Sequence, residues 1–382
     1  MSIVHKSPHL SPILTLSWKT LLDIQSRVTV GVGARHHVVD TLKQLGVGKR
    51  VLLLHQPGFG DEFVNTIMHE LNAQNFEVEK RAVPDGEDGK DLSQLTQIWQ
   101  WLNEGSFDRK DTILALGGGA LSDVAGFAAS TYKRGVNLVL VPTTLLAQVD
   151  AAIGGKTAIN LSHAKNLAGT FFFPRAVIVD SELLRTLSLR QFASGLAEII
   201  KYALIEETIC SHSEYQIGHM RLLDLLEESL SSTFAYDDPM LSGIITTCIK
   251  MKLCVVGKDP QESGLRRCLN LGHTLGHALE KESNYSLSHG EAIAIGMACV
   301  LKLSNRKKRI DESSLSRAID LLLRAGLPVE IPQGVNKQGI IEAMMHDKKR
   351  EGDTIMLVLP AGHLGLVDFE FKVPVSELEN LL

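Results

Sequence analysis

Short apolar runs alternate with helical patterns through the first half of this sequence, and this alternation constrains the fold more than any other feature. The apolar runs, bounded by glycine or polar turn residues, cover 51–54, 112–116, 136–141 and 176–179. Helical patterns at 61–74 and 92–103 lie between them. A repeated strand–helix–strand order is typical of a parallel sheet covered by helices. The sequence therefore predicts an α/β domain of Rossmann-like build.

The second half has a different pattern. Helical periodicity dominates at 190–206, 222–230, 241–257, 290–305 and 313–325. Near the end, two β-rich runs at 354–359 and 364–369 flank Pro360-Ala361-Gly362, which predicts a β-hairpin. We therefore predict an α/β domain over residues 1–180 and a mostly α-helical domain over residues 181–382.

The composition is that of an ordinary globular protein, with 44% hydrophobic residues and a net charge of −5. This charge gives no general attraction to nucleic acid or to anionic membranes, so an anionic substrate requires a local cluster of basic residues. The chain has five cysteines and no CxxC pair, which favours reduced thiols in the cytoplasm. We find no signal-peptide pattern and no apolar run of about 18 residues, so we expect no membrane span.

Histidines at helical spacing suggest a metal site. His273 and His277 are four residues apart and would share one face of a helix. His289 follows them, and Glu198 is an acidic candidate further upstream. Two or three imidazoles with one carboxylate form the ligand set of a catalytic zinc site, and cobalt suits the same ligands. Spacing alone leaves open which histidines bind, and it also allows that they are simply solvated.

A glycine-rich turn suggests a phosphate or dinucleotide site. Gly117-Gly118-Gly119 follows an apolar run and begins a helical pattern that extends through Asp123. Backbone N–H groups at a helix N-terminus bind pyrophosphate, although three glycines also serve a plain tight turn. The run is not a GxGxxG motif. A second loop, with Thr143 and Thr144, offers hydroxyl groups after the next apolar run.

Basic residues lie in small polar clusters along the chain. A single such charge usually faces solvent, but Lys156 lies among glycines and Lys201 lies in an apolar helical stretch beside Glu198. A cation in apolar surroundings needs a partner, and an anionic substrate is one. The other candidates are Arg134, Lys165, Lys252, Arg266, Lys348 and Lys349.

Taken together, these motifs resemble the 3-dehydroquinate synthase family, within the sugar phosphate cyclase superfamily. The resemblance runs in order from about residue 50 to the end. The motifs include Gly117-Gly118-Gly119, Gly154-Gly155-Lys156-Thr157, Gly195-Leu196-Ala197-Glu198, Leu269-Asn270-Leu271-Gly272-His273 and His289-Gly290-Glu291.

The resemblance implies a role for each matching residue. Glu198, His273 and His289 would bind Zn²⁺ or Co²⁺, and His277 would contact substrate or transfer a proton. The residues that would hold the substrate's hydroxyls and carboxylate are Asp150, Lys156, Lys201, Lys252, Arg266 and Asn270. The residues that would hold its phosphate are Arg134, Asn166 and Lys348 or Lys349. The residues that would bind NAD are Glu87, Lys90, Gly118, Gly119, Asp123, Thr143, Thr144, Lys156 and Lys165.

The resemblance also implies the reaction. The family converts 3-deoxy-arabino-heptulosonate 7-phosphate into 3-dehydroquinate and phosphate, a step of the shikimate pathway. NAD transiently oxidises the C5 hydroxyl, phosphate is eliminated, C5 is reduced again, and an intramolecular aldol reaction closes the ring. NAD is therefore not consumed. A homodimer is expected from the family.

Three alternatives and two departures remain. A sibling cyclase would act on sedoheptulose 7-phosphate, although His277, Lys252, Arg266 and Lys348 favour a substrate with a carboxylate. A polyol dehydrogenase would consume NAD and would not need the phosphate ligands. A catalytically silent metal- or nucleotide-binding module would have no need for both the metal ligands and the cations. The departures are His55-Gln56, near the expected adenosine ribose, and Ala120-Leu121-Ser122, in the glycine turn.

Overall fold

The computed structural model describes residues 13–19, 25–58, 60–161, 164–230, 239–345, 350–351 and 353–382. These residues form two compact units. The first comprises residues 1–188 with 235–249, and the second comprises 189–234 with 250–382. The single boundary near residue 180 remains a prediction, as do the domains that it separates.

Among the described residues of 13–188, the first unit contains nine strands and four α-helices. The strands are β1 (Leu14–Lys19), β2 (Gln25–Val30), β3 (Arg50–His55), β4 (Glu77–Ala82), β5 (Thr112–Gly117), β6 (Asn137–Pro142), β7 (Lys156–Leu161), β8 (Ala164–Phe171) and β9 (Ala176–Val179). The helices are α1 (Val38–Leu45), α2 (Asp61–Ala73), α3 (Leu92–Glu104) and α4 (Gly119–Thr131).

Seven of these strands form one sheet in the order β1-β2-β9-β6-β5-β3-β4. All neighbouring pairs are parallel except β1 with β2. Strands β7 and β8 form a separate antiparallel hairpin. The structure thus confirms the predicted parallel sheet and the four predicted strands at its centre.

Both faces of the central strands are buried, which explains why these strands are continuously apolar rather than alternating. Val51 and Leu53 of β3 pack on one face in a core that includes residues of α1 and α2. Helix α4 covers the other face, where Leu138 approaches its Gly126. Because the strands are parallel, β5 and β6 both end at the edge where α4 begins.

The second unit is mostly helical, as predicted. Its elements are α5 (Leu189–His212), α6 (Leu222–Ser229), α8 (His273–Glu282), α9 (His289–Arg306), α10 (Glu312–Arg324), α11 (Lys337–Met345), β10 (Arg350–Glu351), β11 (Thr354–Ala361) and β12 (His363–Pro374). Helix α9 packs against α5, α8, α10 and β11. Strands β11 and β12 form the predicted hairpin, and Gly362 at its turn has a left-handed φ of 83°.

Helix α7 (Pro239–Lys258) has residues in both units. It is 20 residues long and apolar enough to meet the length and composition criteria of a membrane span. More than half of its most apolar window is buried inside the protein, and it contains Lys250 and Lys252. These features are typical of a core helix of a globular protein.

Candidate active site

The glycine turn of the first unit forms a tight cradle at the carboxyl ends of β5 and β6. Gly118 precedes α4, and a Cβ atom at Gly118 would lie 3.2 Å from Cγ2 of Thr144. A Cβ atom at Gly119 would lie 3.0 Å from Cβ of Ala151. The Thr143 N–H donates to the Gly117 carbonyl over 3.0 Å. These Cβ distances are tighter than most, so glycine lets the loop of Thr143 and Thr144 approach the start of α4 closely. A helix N-terminus is a favourable place for an anion.

Gln56 connects this cradle to the end of the neighbouring strands. Its Oε1 accepts from the Gly118 N–H over 2.7 Å, and its Nε2 donates to Asp85 Oδ1 over 2.5 Å. The sequence showed Gln56 only as a departure from the family pattern. The signal was its place directly after β3, since residues at the carboxyl ends of parallel strands next to a glycine turn face the dinucleotide position.

The buried Lys90 contacts two other predicted site residues beside the first turns of α4. Lys90 is 3% exposed, and its Nζ donates to Asp123 Oδ2 and to Asn166 Oδ1, each over 2.5 Å. Asn160 donates to Glu87 over 2.5 Å, and its own Oδ1 accepts from the Asn166 N–H over 3.2 Å. Sequence reasoning missed Asn160, because an asparagine in a short strand carries no distinctive signal.

Lys165 belongs to the same group, since its Nζ lies 3.6 Å from Glu87 Oε1. Lys156 is the first residue of β7, and its side chain is exposed. Asp150 lies half-buried in the short turn Ala147–Ala151, which follows the loop of Thr143 and Thr144.

Arg134 is not close to these residues within the first unit. It lines a surface groove with Lys49, Arg50, Arg109 and Lys110, at the amino-terminal ends of β3, β5 and β6. The glycine cradle lies at the opposite ends of those strands. A six-residue strand such as β6 is about 20 Å long. The structure therefore does not bring Arg134 to Asn166, its predicted companion on the phosphate.

The three predicted metal ligands converge in the second unit. Glu198 lies on α5, His273 is the first residue of α8, and His289 is the first residue of α9. One ligand atom from each lies within 4.8 Å of the others. Nε2 of His273 lies 3.5 Å from Glu198 Oε1, and Nε2 of His289 lies 3.3 Å from the same oxygen. Glu198 is fully buried.

Glycine contacts between helices bring these side chains together. A Cβ atom at Gly290 would lie 2.3 Å from the Cα of Ser194, one turn before Glu198 on α5. A Cβ atom at Gly296 would lie 2.1 Å from the Gly272 carbonyl, so α9 also contacts the start of α8 at backbone distance. These contacts explain why the predicted histidines are flanked by glycine.

Hydrogen bonds fix the start of α9. Ser288 and Glu291 form a capping box, in which each side chain bonds the other's backbone N–H. Arg190 binds both carboxylate oxygens of Glu291, over 2.7 and 2.5 Å. His289 is therefore held on a well-defined first turn.

The two imidazoles differ in their second partner and in their charge. Nδ1 of His273 lies 3.1 Å from the Leu271 carbonyl, and Nδ1 of His289 lies 3.4 Å from Glu280 Oε2. Burial lowers the pKa of His273 well below its usual value, despite the nearby Glu198 charge. Burial also opposes the charge of His289, but hydrogen bonds with Glu198 and Glu280 outweigh it and raise the pKa of His289 to about 10.

His277 lies beside the three ligands without joining their group. Its ring centroid is 5.4 Å from that of His273 and 6.0 Å from that of His289, and the residue is exposed. It forms a second possible ligand group with Glu280 and His289.

Buried cations lie in the same unit. Lys201 is 1% exposed and forms an ion pair with Glu198 one helical turn away. Arg266 is also buried and donates to the Pro260 carbonyl over 2.8 Å, in a turn that packs on α5. Asn270 in that turn donates to Glu262 over 2.7 Å, and Lys252 on α7 is buried. Lys348 and Lys349 lie outside the described residues.

Comparison with known protein families shows which family this chain belongs to. Two family models match, described as 3-dehydroquinate synthase N-terminal over residues 80–194 and 3-dehydroquinate synthase C-terminal over residues 195–350. A 3-dehydroquinate synthase of Nostoc sp. is 38% identical over 357 residues, which cover 93% of this chain and 95% of that protein.

Two solved structures share the fold over nearly the whole chain. One is 2-deoxy-scyllo-inosose synthase complexed with carbaglucose-6-phosphate, NAD⁺ and Co²⁺, with a TM-score of 0.81, 26% identity and coverage of 96% of this chain and 98% of that one. The other is 2-epi-5-epi-valiolone synthase from Streptomyces hygroscopicus subsp. jinggangensis with NAD⁺ and Zn²⁺ bound, with a TM-score of 0.82, 25% identity and coverage of 95% and 97%.

Proposed function

Since the chain belongs to the 3-dehydroquinate synthase family, we propose that it converts 3-deoxy-arabino-heptulosonate 7-phosphate into 3-dehydroquinate and phosphate. It is an enzyme, and we assign it to the carbon–oxygen lyases that eliminate phosphate. The observation that carries the proposal is the convergence of Glu198, His273 and His289, from three separate helices, within 4.8 Å. A catalytically silent module would have no need for both this ligand set and the buried cations Lys201, Lys252 and Arg266.

The residues fit a divalent metal. Both Nε2 atoms face the same Glu198 oxygen, and both Nδ1 atoms face other acceptors, so the imidazoles present their Nε2 atoms to one position. One carboxylate and two imidazoles leave open positions for a substrate on Zn²⁺ or Co²⁺. We propose that these three side chains hold the metal found in the similar cyclase structures.

The glycine cradle fits NAD. Gly118 and Gly119 at the start of α4 lie close to the loop of Thr143 and Thr144, so the helix N-terminus and the threonine side chains can face one pyrophosphate. We propose that the group around Lys90 and Asp123 continues this site toward the ribose. When bound, NAD accepts and returns a hydride and the metal acts as a Lewis acid on the substrate oxygen.

The other predicted site residues would bind and orient the substrate. We propose that Lys201, Lys252, Arg266, Asn270 and Asp150 hold its hydroxyls and carboxylate, since a buried cation such as Lys201 gains from an anionic partner. His277 is exposed beside two metal ligands, so its imidazole can exchange a proton with a substrate bound there.

Asn166 and Lys348 or Lys349 are proposed phosphate ligands of this chain, whereas Arg134, which the resemblance groups with them, lies at the other end of the sheet. Lys156 has an exposed ammonium that can act as a point charge on the substrate's carboxylate. Lys156 is also proposed to contact NAD, together with Lys165 and Glu87.

A sibling cyclase acting on sedoheptulose 7-phosphate is the second candidate. The solved structures of that wider group share the fold, but they are only 25 and 26% identical to this chain, whereas the Nostoc 3-dehydroquinate synthase is 38% identical. This difference favours the substrate with a carboxylate. We also propose that the protein is a cytoplasmic homodimer, and sedimentation of the purified protein tests the dimer.

The experiment is phosphate release by purified protein with Zn²⁺ and substoichiometric NAD. 3-Deoxy-arabino-heptulosonate 7-phosphate and sedoheptulose 7-phosphate are supplied in parallel. Release from the first alone, with many turnovers per NAD, supports the proposal. Release from the second alone assigns the chain to a sibling cyclase, and net reduction of NAD without phosphate release indicates a polyol dehydrogenase.

A further inference from the structure

We propose that Glu280 is a positioning residue for the metal ligand His289. Its carboxylate accepts a hydrogen bond from Nδ1 of His289 and thereby directs Nε2 to the metal. This inference rests on the metal site of the proposed function and concerns a residue outside the Glu198, His273 and His289 set.

The geometry around His289 supports this role. Glu280 Oε2 lies 3.4 Å from Nδ1, while Nε2 of the same ring lies 3.3 Å from Glu198 Oε1. The ring therefore lies between two carboxylates, with one nitrogen toward each. A donor proton on Nδ1 leaves the lone pair on Nε2, which is the form that binds a metal.

The Glu280 carboxylate is largely buried, since the residue is 7% exposed. The hydrogen bond with His289 offsets part of the cost of burying this charge. The main chain of Glu280 is also fixed, because its carbonyl accepts from the Tyr285 N–H over 2.8 Å. The carboxylate is thus held at the end of α8, on the same helix face as His273 and His277.

The contrast with His273 explains why His289 needs a carboxylate. The His273 side chain is 10% exposed, and its Nδ1 lies 3.1 Å from the carbonyl oxygen of Leu271, two residues earlier in the chain. The His289 side chain is 30% exposed and so has less packing to restrict its rotation. A charged acceptor orients a ring more strongly than a neutral one and makes Nε2 a better ligand.

Glu280 could instead be a ligand itself, because it also groups with His277 and His289. That arrangement would place a second metal next to the first and would use the Nδ1 side of His289. We favour the positioning role because the Nε2 atoms of His273 and His289 converge on Glu198, so one metal satisfies both rings.

The test is Co²⁺ binding to metal-free protein, measured by chelator competition and by the visible spectrum of the Co²⁺ form. The variants are Glu280→Ala, which removes the acceptor, and Glu280→Gln, which keeps an acceptor without charge. Glu282→Gln, two residues away on α8 and outside both ligand groups, is the control. Circular dichroism of each metal-free variant verifies its fold.

We expect Glu280→Ala to weaken Co²⁺ binding by about 10–100-fold, with a smaller loss for Glu280→Gln and none for Glu282→Gln. One Co²⁺ should bind per chain in every variant. Unchanged affinity in a folded Glu280→Ala protein would overturn the positioning role alone. Two Co²⁺ per wild-type chain and one in Glu280→Ala would make Glu280 a ligand. A wild-type protein that binds no Co²⁺ would overturn the metal site and this inference together.

Discussion

Glu198 is a fully buried carboxylate that faces two imidazoles and the Lys201 ammonium. A charge without exposure to water depends entirely on such partners. The same balance makes each partner sensitive to substitution, because removing one leaves the others with uncompensated charge. The chemistry of the site is therefore concentrated in a few side chains that cannot be exchanged singly.

His273→Ala should abolish both turnover and metal binding. The variant loses one of two imidazole ligands, and the remaining carboxylate and imidazole form too small a ligand set for tight zinc binding. Metal content per chain, measured by atomic emission after dialysis, should fall from about one to near zero. His219→Ala, which changes an exposed histidine, is the control. Full metal content in His273→Ala would remove this residue from the site.

Lys156→Ala should abolish turnover while leaving the metal in place. Its exposed ammonium is proposed to pair with the substrate's carboxylate and with NAD, so its loss removes charge pairing without changing the metal ligands of the second unit. Phosphate release should fall by about 100-fold or more, from the loss of about 3 kcal/mol or more of charge pairing, with metal content unchanged. Near-normal release by the variant would contradict this role.

Asp259→Asn should destabilise the protein in a pH-dependent way. Burial opposes ionisation of Asp259, but N–H groups of Ser263, Gly264 and Arg266 donate to its carboxylate and lower its pKa below the ordinary 3.8. The folded state therefore binds fewer protons than the unfolded state, so this stabilisation is present above the ordinary pKa and is lost as pH falls through the lowered one.

At neutral pH, we expect Asp259→Asn to lower the free energy of unfolding by about 1–3 kcal/mol, because the amide cannot accept from all three N–H groups. Urea unfolding of both proteins at neutral pH and at a series of acidic pH values measures the difference, which should shrink in acid. Asp320→Asn, at an exposed position of α10, is the control. A pH-independent difference would contradict the ionised state of Asp259.

The sequence predicts the site residues that carry a local signal. His273 and His277 have helical spacing, Glu198 and Lys201 lie in one apolar stretch, and the glycine turn follows a strand. The only signal for Gln56 is its place directly after β3, and Asn160 carries none, because its role depends on which segments meet in space. Lys90 and Asn166, which the resemblance assigns to NAD and to the substrate phosphate, lie within hydrogen-bond distance, whereas Arg134 lies at the other end of the sheet from Asn166.

At the scale of elements, helices and buried strands follow the sequence pattern closely. The four predicted strands are β3, β5, β6 and β9, whose side chains are buried and apolar. The sequence analysis did not predict β4, because its Glu-Val-Glu-Lys-Arg-Ala sequence reflects a largely solvent-facing edge strand. It also missed β7 and β8, since a two-stranded hairpin outside the main sheet has no continuous apolar face.

Gly290→Ala should separate α9 from α5 and weaken the site that they share. The new Cβ atom would lie 2.3 Å from the Cα of Ser194, and backbone at that distance must shift. We expect a loss of about 1–3 kcal/mol in stability, as for other overpacked contacts, together with weaker Co²⁺ binding.

Gly243→Ala is the matched control, because Gly243 lies in α7 and a Cβ atom there would meet no heavy atom within 4 Å. That variant should gain up to about 1 kcal/mol, since alanine is a better helix residue. Thermal unfolding and Co²⁺ competition compare the two. A Gly290→Ala protein as stable as Gly243→Ala would show that the helices adapt to the extra carbon.

At the scale of the whole molecule, the predicted ligands divide cleanly between two units. The candidate NAD-binding residues lie in the first unit, and the three candidate metal ligands lie in the second. Each ligand should therefore stabilise its own unit first.

Removal of the metal should lower the stability of the second unit in particular. A ligand present at about 100 times its dissociation constant stabilises the folded state by about 2.7 kcal/mol. Hydrogen exchange of the dialysed, metal-free protein should be faster in α5, α8 and α9 than in the zinc-loaded protein. Exchange in β5 and β6 should change little. Equal changes of hydrogen exchange in both units would contradict independent stabilisation. As a control, the exchange of the His273→Ala variant should not respond to added zinc.

The strand order of the large sheet has a consequence for synthesis. Strand β9 is the last of the sheet in sequence, yet it lies between β2 and β6 and pairs with both. Just before β9, the Pro174 carbonyl accepts a hydrogen bond from the Ser26 hydroxyl, 148 residues earlier in the chain. At ribosomal rates of about 5–20 residues per second, roughly 10–35 s pass before this strand is made. Until then β2 and β6 are two open edges, and a nascent chain with exposed edges is a natural client for chaperones.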